Sequence, residues 1–231
     1  ASCYDEGSVF RFDGQTWEQV GAIPMATQTY GFAVHRGQLY VSEWPQAHVY
    51  RYLGGTRWED TGKLGNELEA MPLLVYNGKL YCGSLPLGEV YRFDESRWTR
   101  IDQVDRTPNV KYRRAWSMAQ FQGRLFVGTL PSGRVLSIEA GRNATWDSEF
   151  PTGWHHVAAV RDVDRLRLYV DGKQVAESAT FDSSQYDLNP QAPLQIGFGA
   201  HDHFHGALQD LRIYRGALPA ESISQLASEL P

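Results

Sequence analysis

The densest group of chemically capable side chains is the heptapeptide AHDHFHG at residues 200–206. On a strand, alternation puts His201, His203 and His205 on one face with Asp202 opposite, and three imidazoles suit a zinc ion. The same stretch also reads as a corner between strands, where period 2 breaks and the histidines are merely solvated or hydrogen-bonded. His155 and His156 are candidates for a general base, although His156 on an alternating strand is better placed for packing. A further group is DQVDRTPNVKYRRAW, residues 102–116, which sets Arg106, Lys111, Arg113 and Arg114 beside Tyr112 and Trp116. Guanidiniums next to aromatic rings suit sulfated or carboxylated sugars, through two-pronged hydrogen bonds and stacking. The plainer alternative is a wet, charged linker. No G-x-S-x-G elbow, H-E-x-x-H helix or P-loop is present.

The bulk numbers bound the molecule that positions these groups. The chain has 231 residues, 42% hydrophobic and 13% aromatic, with 22 Gly to make turns. That is enough to bury a core as one large domain or two smaller ones. With 27 acidic against 22 basic residues the net charge is −5, so a general affinity for nucleic acid is not expected, because that needs a positive surface. No apolar run approaches the roughly 20 residues of a membrane-spanning helix. Cys3 and Cys82 are too few for a disulfide framework and lack metal-ligand spacing.

Internal repetition is the strongest signal. The segments GSVFRFDGQTWEQVG, AHVYRYLGGTRWEDTG and GEVYRFDESRWTRID, at 7–21, 47–62 and 88–102, each run Val, aromatic, Arg, aromatic, turn, Trp. Between them stand FAVHRGQLYVSEWP, LLVYNGKLYCGSLP and MAQFQGRLFVGTLP, strand pairs around Gly37, Gly78 and Gly123 that stop at Pro45, Pro86 and Pro131. Trp17, Trp58 and Trp98 are 41 and 40 residues apart, and Val9, Val49, Val90 and Val135 are 40, 41 and 45 apart. Periods of this size made of four short strands are the mark of propeller blades. One blade is expected to run inward to outward through 30–36, 38–43, 48–52 and 57–61.

This grammar resembles kelch-like β-propeller proteins over about residues 1–140. The tryptophans are expected to be core indoles between blades. The turn DGQTW, 13–17, resembles part of the Asp-box of sialidase-type propellers. In a propeller, the loops from second to third strand and the links between blades share one face, the default ligand surface. That face is expected to carry Trp44, together with Tyr30, Met71 and Trp116 at one equivalent position of successive inner strands. The third link adds Tyr112, Arg113 and Arg114.

The C-terminal part has a different grammar. WHHVAAVRD and RLRLYVDGKQVAES read as strands with an Asp-Gly hairpin turn, followed by PLQIGFG, GALQDLRIYRGAL and a helical PAESISQLASEL. The order resembles the later half of LamG-like jelly rolls of the concanavalin A-like lectin/glucanase superfamily, through Trp154 with His156, Tyr169 to Gly172, Ile196 with Gly197, Gly206 to Tyr214, and Leu218 with Glu221. The resemblance implies calcium near one rim; no other cofactor is expected. A glucanase-type E-x-D-x-x-E is absent.

The resulting expectation is an all-β chain: about three and a half four-stranded blades over 1–142, then a partial jelly-roll sandwich with a short C-terminal helix over 143–231. Both modules would leave open β edges, so the chain is expected to be a fragment of a longer protein, to pair its edges by oligomerising, or to pack propeller strands directly on the partial jelly roll; with its partner absent, the free chain is expected to aggregate. The function expected is a non-catalytic carbohydrate-binding or adhesion module, extracellular or on a cell surface, with a glycan or protein ligand. A fragment of a propeller-based glycan-processing enzyme of sialidase or polysaccharide lyase type, and a protein-protein scaffold, are the alternatives.

Overall fold

The computed structural model describes residues 1, 3–4, 6–186 and 193–229. The link through 187–192, between expected jelly-roll strands, lies outside the described residues. Among the described residues the protein is all-β apart from one short helix near the C-terminus and a single 3-10 turn at Ser183–Gln185. The chain divides into two compact units. Unit 1 comprises Ala1–Gln120, Leu125–Ile138 and Ile196–His205, and unit 2 comprises Phe121–Arg124, Glu139–Gln195 and Gly206–Pro231. A ten-residue segment of the C-terminal part, Ile196–His205, belongs to unit 1.

Unit 1 is a series of small sheets that follow the repeats. Strands β1 (Ser8–Phe12) and β2 (Trp17–Ala22) pair first. Then β3 (Gln28–His35), β4 (Gln38–Trp44), β5 (His48–Tyr52) and β6 (Trp58–Lys63) form a four-stranded antiparallel meander. A second meander follows as β7 (Glu69–Tyr76), β8 (Lys79–Leu85), β9 (Glu89–Phe93) and β10 (Trp98–Gln103). Last come β11 (Arg114–Phe121), β12 (Arg124–Leu130) and β13 (Val135–Ile138). The expected strands lie within a residue or two of these. The hairpins β3–β4, β7–β8 and β11–β12 turn on Arg36-Gly37, Asn77-Gly78 and Gln122-Gly123, each pair with φ near +50° and +70°. Both turn residues of a tight hairpin need that left-handed region, hence the recurrent Gly.

Neighbouring sheets pack face to face. The indole of Trp58 in β6 donates to the Val20 carbonyl of β2 at 2.9 Å, and that of Trp98 in β10 donates to Thr61 Oγ1 of β6 at 3.2 Å. The backbone approaches most closely where Gly83 of β8 lies against Ala115 of β11, so that a Cβ there would strike the Ala115 carbonyl. Val41, Val49, Leu64, Leu80, Cys82 and Tyr76 are fully buried in this core. Trp58 and Trp98 thus each reach toward the preceding sheet, whereas Trp17, expected as a core indole, is 58% exposed and stacks on Phe12 at 4.9 Å, which corrects that expectation. The DGQTW turn does form, with Asp13 accepting from the Gln15 and Thr16 amides at 2.8 Å each, hydrogen bonds that hold its carboxyl below the usual range.

A second regularity closes the loops after the prolines. Glu43, Ser84 and Thr129 occupy one equivalent buried position, and each accepts a hydrogen bond from the amide five residues on, at His48, Glu89 and Arg134, at 2.6, 3.2 and 3.2 Å. The loop leaves that amide without a ladder partner, and a buried donor must find one.

Unit 2 holds β14 (Val157–Arg161), β15 (Leu166–Val170) and β16 (Lys173–Glu177) in one antiparallel sheet. The Asp171-Gly172 turn between β15 and β16 is as expected, with φ of +49° and +74°. Helix α1 (Ala220–Ser228) begins after Pro219 and buries Ile223. The expected strands PLQIGFG and GALQDLRIYRGAL do not form. Among the described residues neither pairs with the β14–β16 sheet, and Leu208, Leu211 and Ile213 stand 61, 63 and 76% exposed. A strand needs a hydrogen-bonding neighbour and an apolar face opposite. Asp210, at a left-handed φ of 56°, also interrupts the extended run while pairing with Arg212.

Candidate functional site

The loops after β4, β8 and β12 and the links before β3, β7 and β11 converge on one rim of unit 1. The Thr27 amide donates to the Trp44 carbonyl at 2.8 Å and that of Leu68 to Leu85 at 2.7 Å; Arg113 and Pro86 are joined in the same way at 2.8 Å. Two buried acids fasten link to loop. Glu67 accepts from the Leu87 amide at 2.9 Å, and Asp105 accepts from the Ser132 amide at 3.1 Å. Their carboxyls diverge for a physical reason. Burial alone raises both, but at Asp105 hydrogen bonds from Thr107 and Ser132 outweigh burial and hold it down to about 2. At Glu67 burial wins over the bond from Leu87, and nearby Glu89 adds repulsion, so the carboxyl is pushed up to about 7. Glu89 itself is paired with Arg100 and accepts from the Tyr91 hydroxyl, each at 2.5 Å.

On this rim, residues 111–116 gather cations and rings. The Lys111 ammonium lies 4.8 Å from the Tyr112 ring centre, and the Arg114 guanidinium lies 5.8 Å from both Tyr112 and Trp116. Tyr112 is 39% and Trp116 52% exposed. Arg114 Nε is shut from solvent without an acceptor. Tyr30 is close by: its hydroxyl donates to Glu69 Oε2 at 2.9 Å, burial followed by that bond pushes its ionisation well up, and the charge of Arg114 partly offsets them. A cation beside an exposed indole attracts an anion while offering a flat apolar face.

The other expected members differ. Arg113 faces its own loop, Nε donating to the Thr107 carbonyl at 2.7 Å. Met71 is buried, its carbonyl accepting from Ser42 Oγ at 2.5 Å, whereas Trp116 at the equivalent position is exposed. Trp44 is half-buried at the end of β4, and no ring contact or hydrogen bond joins its side chain to the cluster among the described residues.

The histidine cluster is corrected. Residues 197–204 form a tight turn, with Phe204 N–H donating to Gly197 O at 2.8 Å and Gly199 N–H to Asp202 O at 3.0 Å. Alternation therefore fails, and His203 lies against the Phe198 ring at 4.6 Å. The segment instead clasps the β3–β4 turn: the Arg36 and Gly37 amides donate to Ala200 and His201 carbonyls at 2.9 and 2.7 Å. No group of three His, Cys, Asp or Glu positioned to hold an ion occurs among the described residues. His201, Asp202, His203 and His205 do not form such a group. His155 is tied to Asp171 at 2.8 Å and to the Thr152 carbonyl at 3.0 Å, as a staple of the β15–β16 turn. Cys3 and Cys82 are both free, Cys82 buried.

Among the described residues no helix is long and apolar enough to cross a membrane, which does not bear on β-barrels. No curated protein matches the chain. Among solved structures, an S-layer domain-containing protein (residues 221–444) from Clostridium thermocellum is similar over 74% of this chain and 91% of its own, at 20% identity and a TM-score of 0.30. A family model described as Concanavalin A-like lectin/glucanases superfamily matches residues 96–224. That match begins inside the third repeat, not near residue 150, so β10 to β13 fall within it together with the Lys111–Trp116 cluster, the β14–β16 meander and most of α1. A match over more than half of the chain makes this chain a member of the concanavalin A-like lectin/glucanases superfamily.

Proposed function

We propose that the chain is a non-catalytic glycan-binding module working outside the cell or on its surface, and that unit 1 is a run of propeller-type, kelch-like blades whose rim carries the binding site. The observation that carries the reading is the cluster of Lys111, Tyr112, Arg114 and Trp116, where Arg114 lies between Tyr112 and an indole that is 52% exposed and Lys111 lies over Tyr112. The ligand class it fits is an acidic sugar, sulfated or carboxylated: the anion meets Lys111 and Arg114 and the ring stacks on Trp116. The consecutive four-stranded meanders packed through Trp58 and Trp98 support the blade reading. Membership of a lectin-containing superfamily supports carbohydrate as the ligand. Affinity at one shallow site is expected to be weak, and repeated modules would raise it.

The test is titration of a sulfated oligosaccharide, a heparin hexasaccharide, into the protein at low and moderate salt. Trp116→Ala and Arg114→Gln are each expected to weaken binding about tenfold, with wild-type affinity falling as salt rises. Binding that ignores both substitutions, or no binding of sulfated or carboxylated sugars at millimolar ligand, refutes the reading.

A further inference from the structure

The rim of unit 1 holds a buried carboxyl that the proposed binding does not use. Glu67 is wholly buried, and its two oxygens differ: Oε2 accepts from the Leu87 amide at 2.9 Å, while Oε1 is shut from solvent without a hydrogen-bond partner. Facing it are Glu89 and Tyr91 on β9 and Cys82 on β8, with Arg100 of β10 paired to Glu89. Burial pushes up both the Tyr91 hydroxyl and the Cys82 thiol, so neither carries charge near neutral pH. Arg100 is already engaged by Glu89, and none of these groups is left to balance a negative charge on Glu67. An ionised carboxylate with an unsatisfied oxygen, beside a second carboxylate, is costly to keep buried; the protonated acid is not.

The bond from Glu67 ends on a loop that is joined to the cation and ring cluster. Leu87 makes a single parallel bridge with Arg113, the Arg113 amide donates to the Pro86 carbonyl at 2.8 Å, and Gln103 Nε2 donates to the Leu87 carbonyl at 2.9 Å. Gly88 is pressed against the same link, where a Cβ would come within 3.0 Å of Arg113 Cβ and 3.2 Å of Asp105 Cβ. Arg113 is followed directly by Arg114, whose guanidinium lies 5.8 Å from the Tyr112 and Trp116 ring centres. An ionised Glu67 is relieved by swinging out to water, and that gives up the Leu87 amide. We infer that Glu67 is a proton-operated latch: with its proton it holds residues 86–88 against the link 103–116, and on ionising it lets go and loosens the strand edge that presents Arg114 and Trp116. The sign follows from linkage. The carboxyl titrates at about 7 when latched and near its ordinary 4.5 when in water, so opening grows as pH rises from about 5 to 7 and levels off above. The latch belongs to the rim whatever the rim binds; that it regulates a sugar site rests on the reading above.

Hydrogen exchange of single amides, followed by NMR on the whole chain without ligand, reads the latch directly, so a failure of sugar binding leaves this test intact. After division by the intrinsic rate at each pH, protection of the Leu87 and Arg113 amides is expected to fall about tenfold between pH 5 and 7.5 in the wild type. It should stay level in Glu67→Gln, whose carbonyl keeps the Leu87 amide and which does not ionise. A low concentration of urea separates local release from unfolding: it should speed exchange of the slowest β8 amides and leave Leu87 unchanged. If Glu67→Gln fails to fold, the wild-type profile and its response to urea still decide. Leu87 protection that is level from pH 5 to 7.5, that falls equally in Glu67→Gln, or that urea erodes as it does in β8, overturns the inference.

Discussion

Glu67→Gln separates burial from ionisation at the rim of unit 1. The wild-type carboxyl titrates near 4.5 in an unfolded chain and at about 7 in the fold, because it is fully buried, beside Glu89, with one amide for a partner. Between those values the folded protein retains a proton that the unfolded chain has released. Stability from this group is therefore greatest at low pH and declines as pH rises toward and through 7. At about 1.4 kcal/mol per tenfold change in proton affinity the separation is worth at most about 3 kcal/mol. Solvent screening and relaxation reduce this to about 1–2 kcal/mol. The glutamine keeps a carbonyl for the Leu87 amide, its NH₂ has Glu89 as acceptor, and it does not ionise. Urea unfolding of both proteins from pH 5 to 8.5, followed by tryptophan fluorescence, isolates the group, since every other titration cancels in the difference. The variant should gain about 1–2 kcal/mol on wild type across that range. A difference that stays flat would mean that Glu67 ionises like an exposed carboxylate, and the account of the rim would fail.

Trp58→Ala should cost about 3–5 kcal/mol, through the lost indole and its bond to Val20, whereas Trp17→Ala should cost under about 1 kcal/mol; equal losses in denaturant unfolding would contradict the sheet-to-sheet packing. In the native protein a thiol reagent should modify Cys3 quickly and Cys82 only on unfolding, because complete burial pushes the Cys82 thiol far up; two rapid equivalents would refute this. His155 is raised first by Asp171 and then by the Thr152 carbonyl, and Asp171 is lowered chiefly by His155. The stabilisation that His155→Gln removes is therefore full below the ordinary histidine value of 6.5 and fades as pH rises through the raised value. A deficit that grows with pH would reverse the assignment.

Most of unit 1 was legible because its information is local. Alternation, a Gly turn and a Trp at fixed spacing define each hairpin within some forty residues, and β3 to β10 formed where that spacing put them. What was not legible depends on tertiary packing: Met71 and Trp116 share a register, yet one is buried and the other 52% exposed. The three His at 201, 203 and 205 failed for the complementary reason, since alternation holds only while a strand has a partner. The same lack left 206–214 extended in pattern but not in structure. The grip of Asn143 and Asp147 on the Gln122-Gly123 turn, 20 and 25 residues before them in the chain, had no sequence signature either.

Ala200 and His201 clasp the β3–β4 turn from a position far along the polypeptide. A ribosome making this chain delivers the first three sheets well before the residues that fasten that turn. During synthesis the Arg36 and Gly37 amides must face water until residue 201 has emerged. Dividing the gene anywhere between Ile138 and Ile196 would separate the clasp from the hairpin it fastens, so dissection into halves is a poor way to ask what either unit does alone.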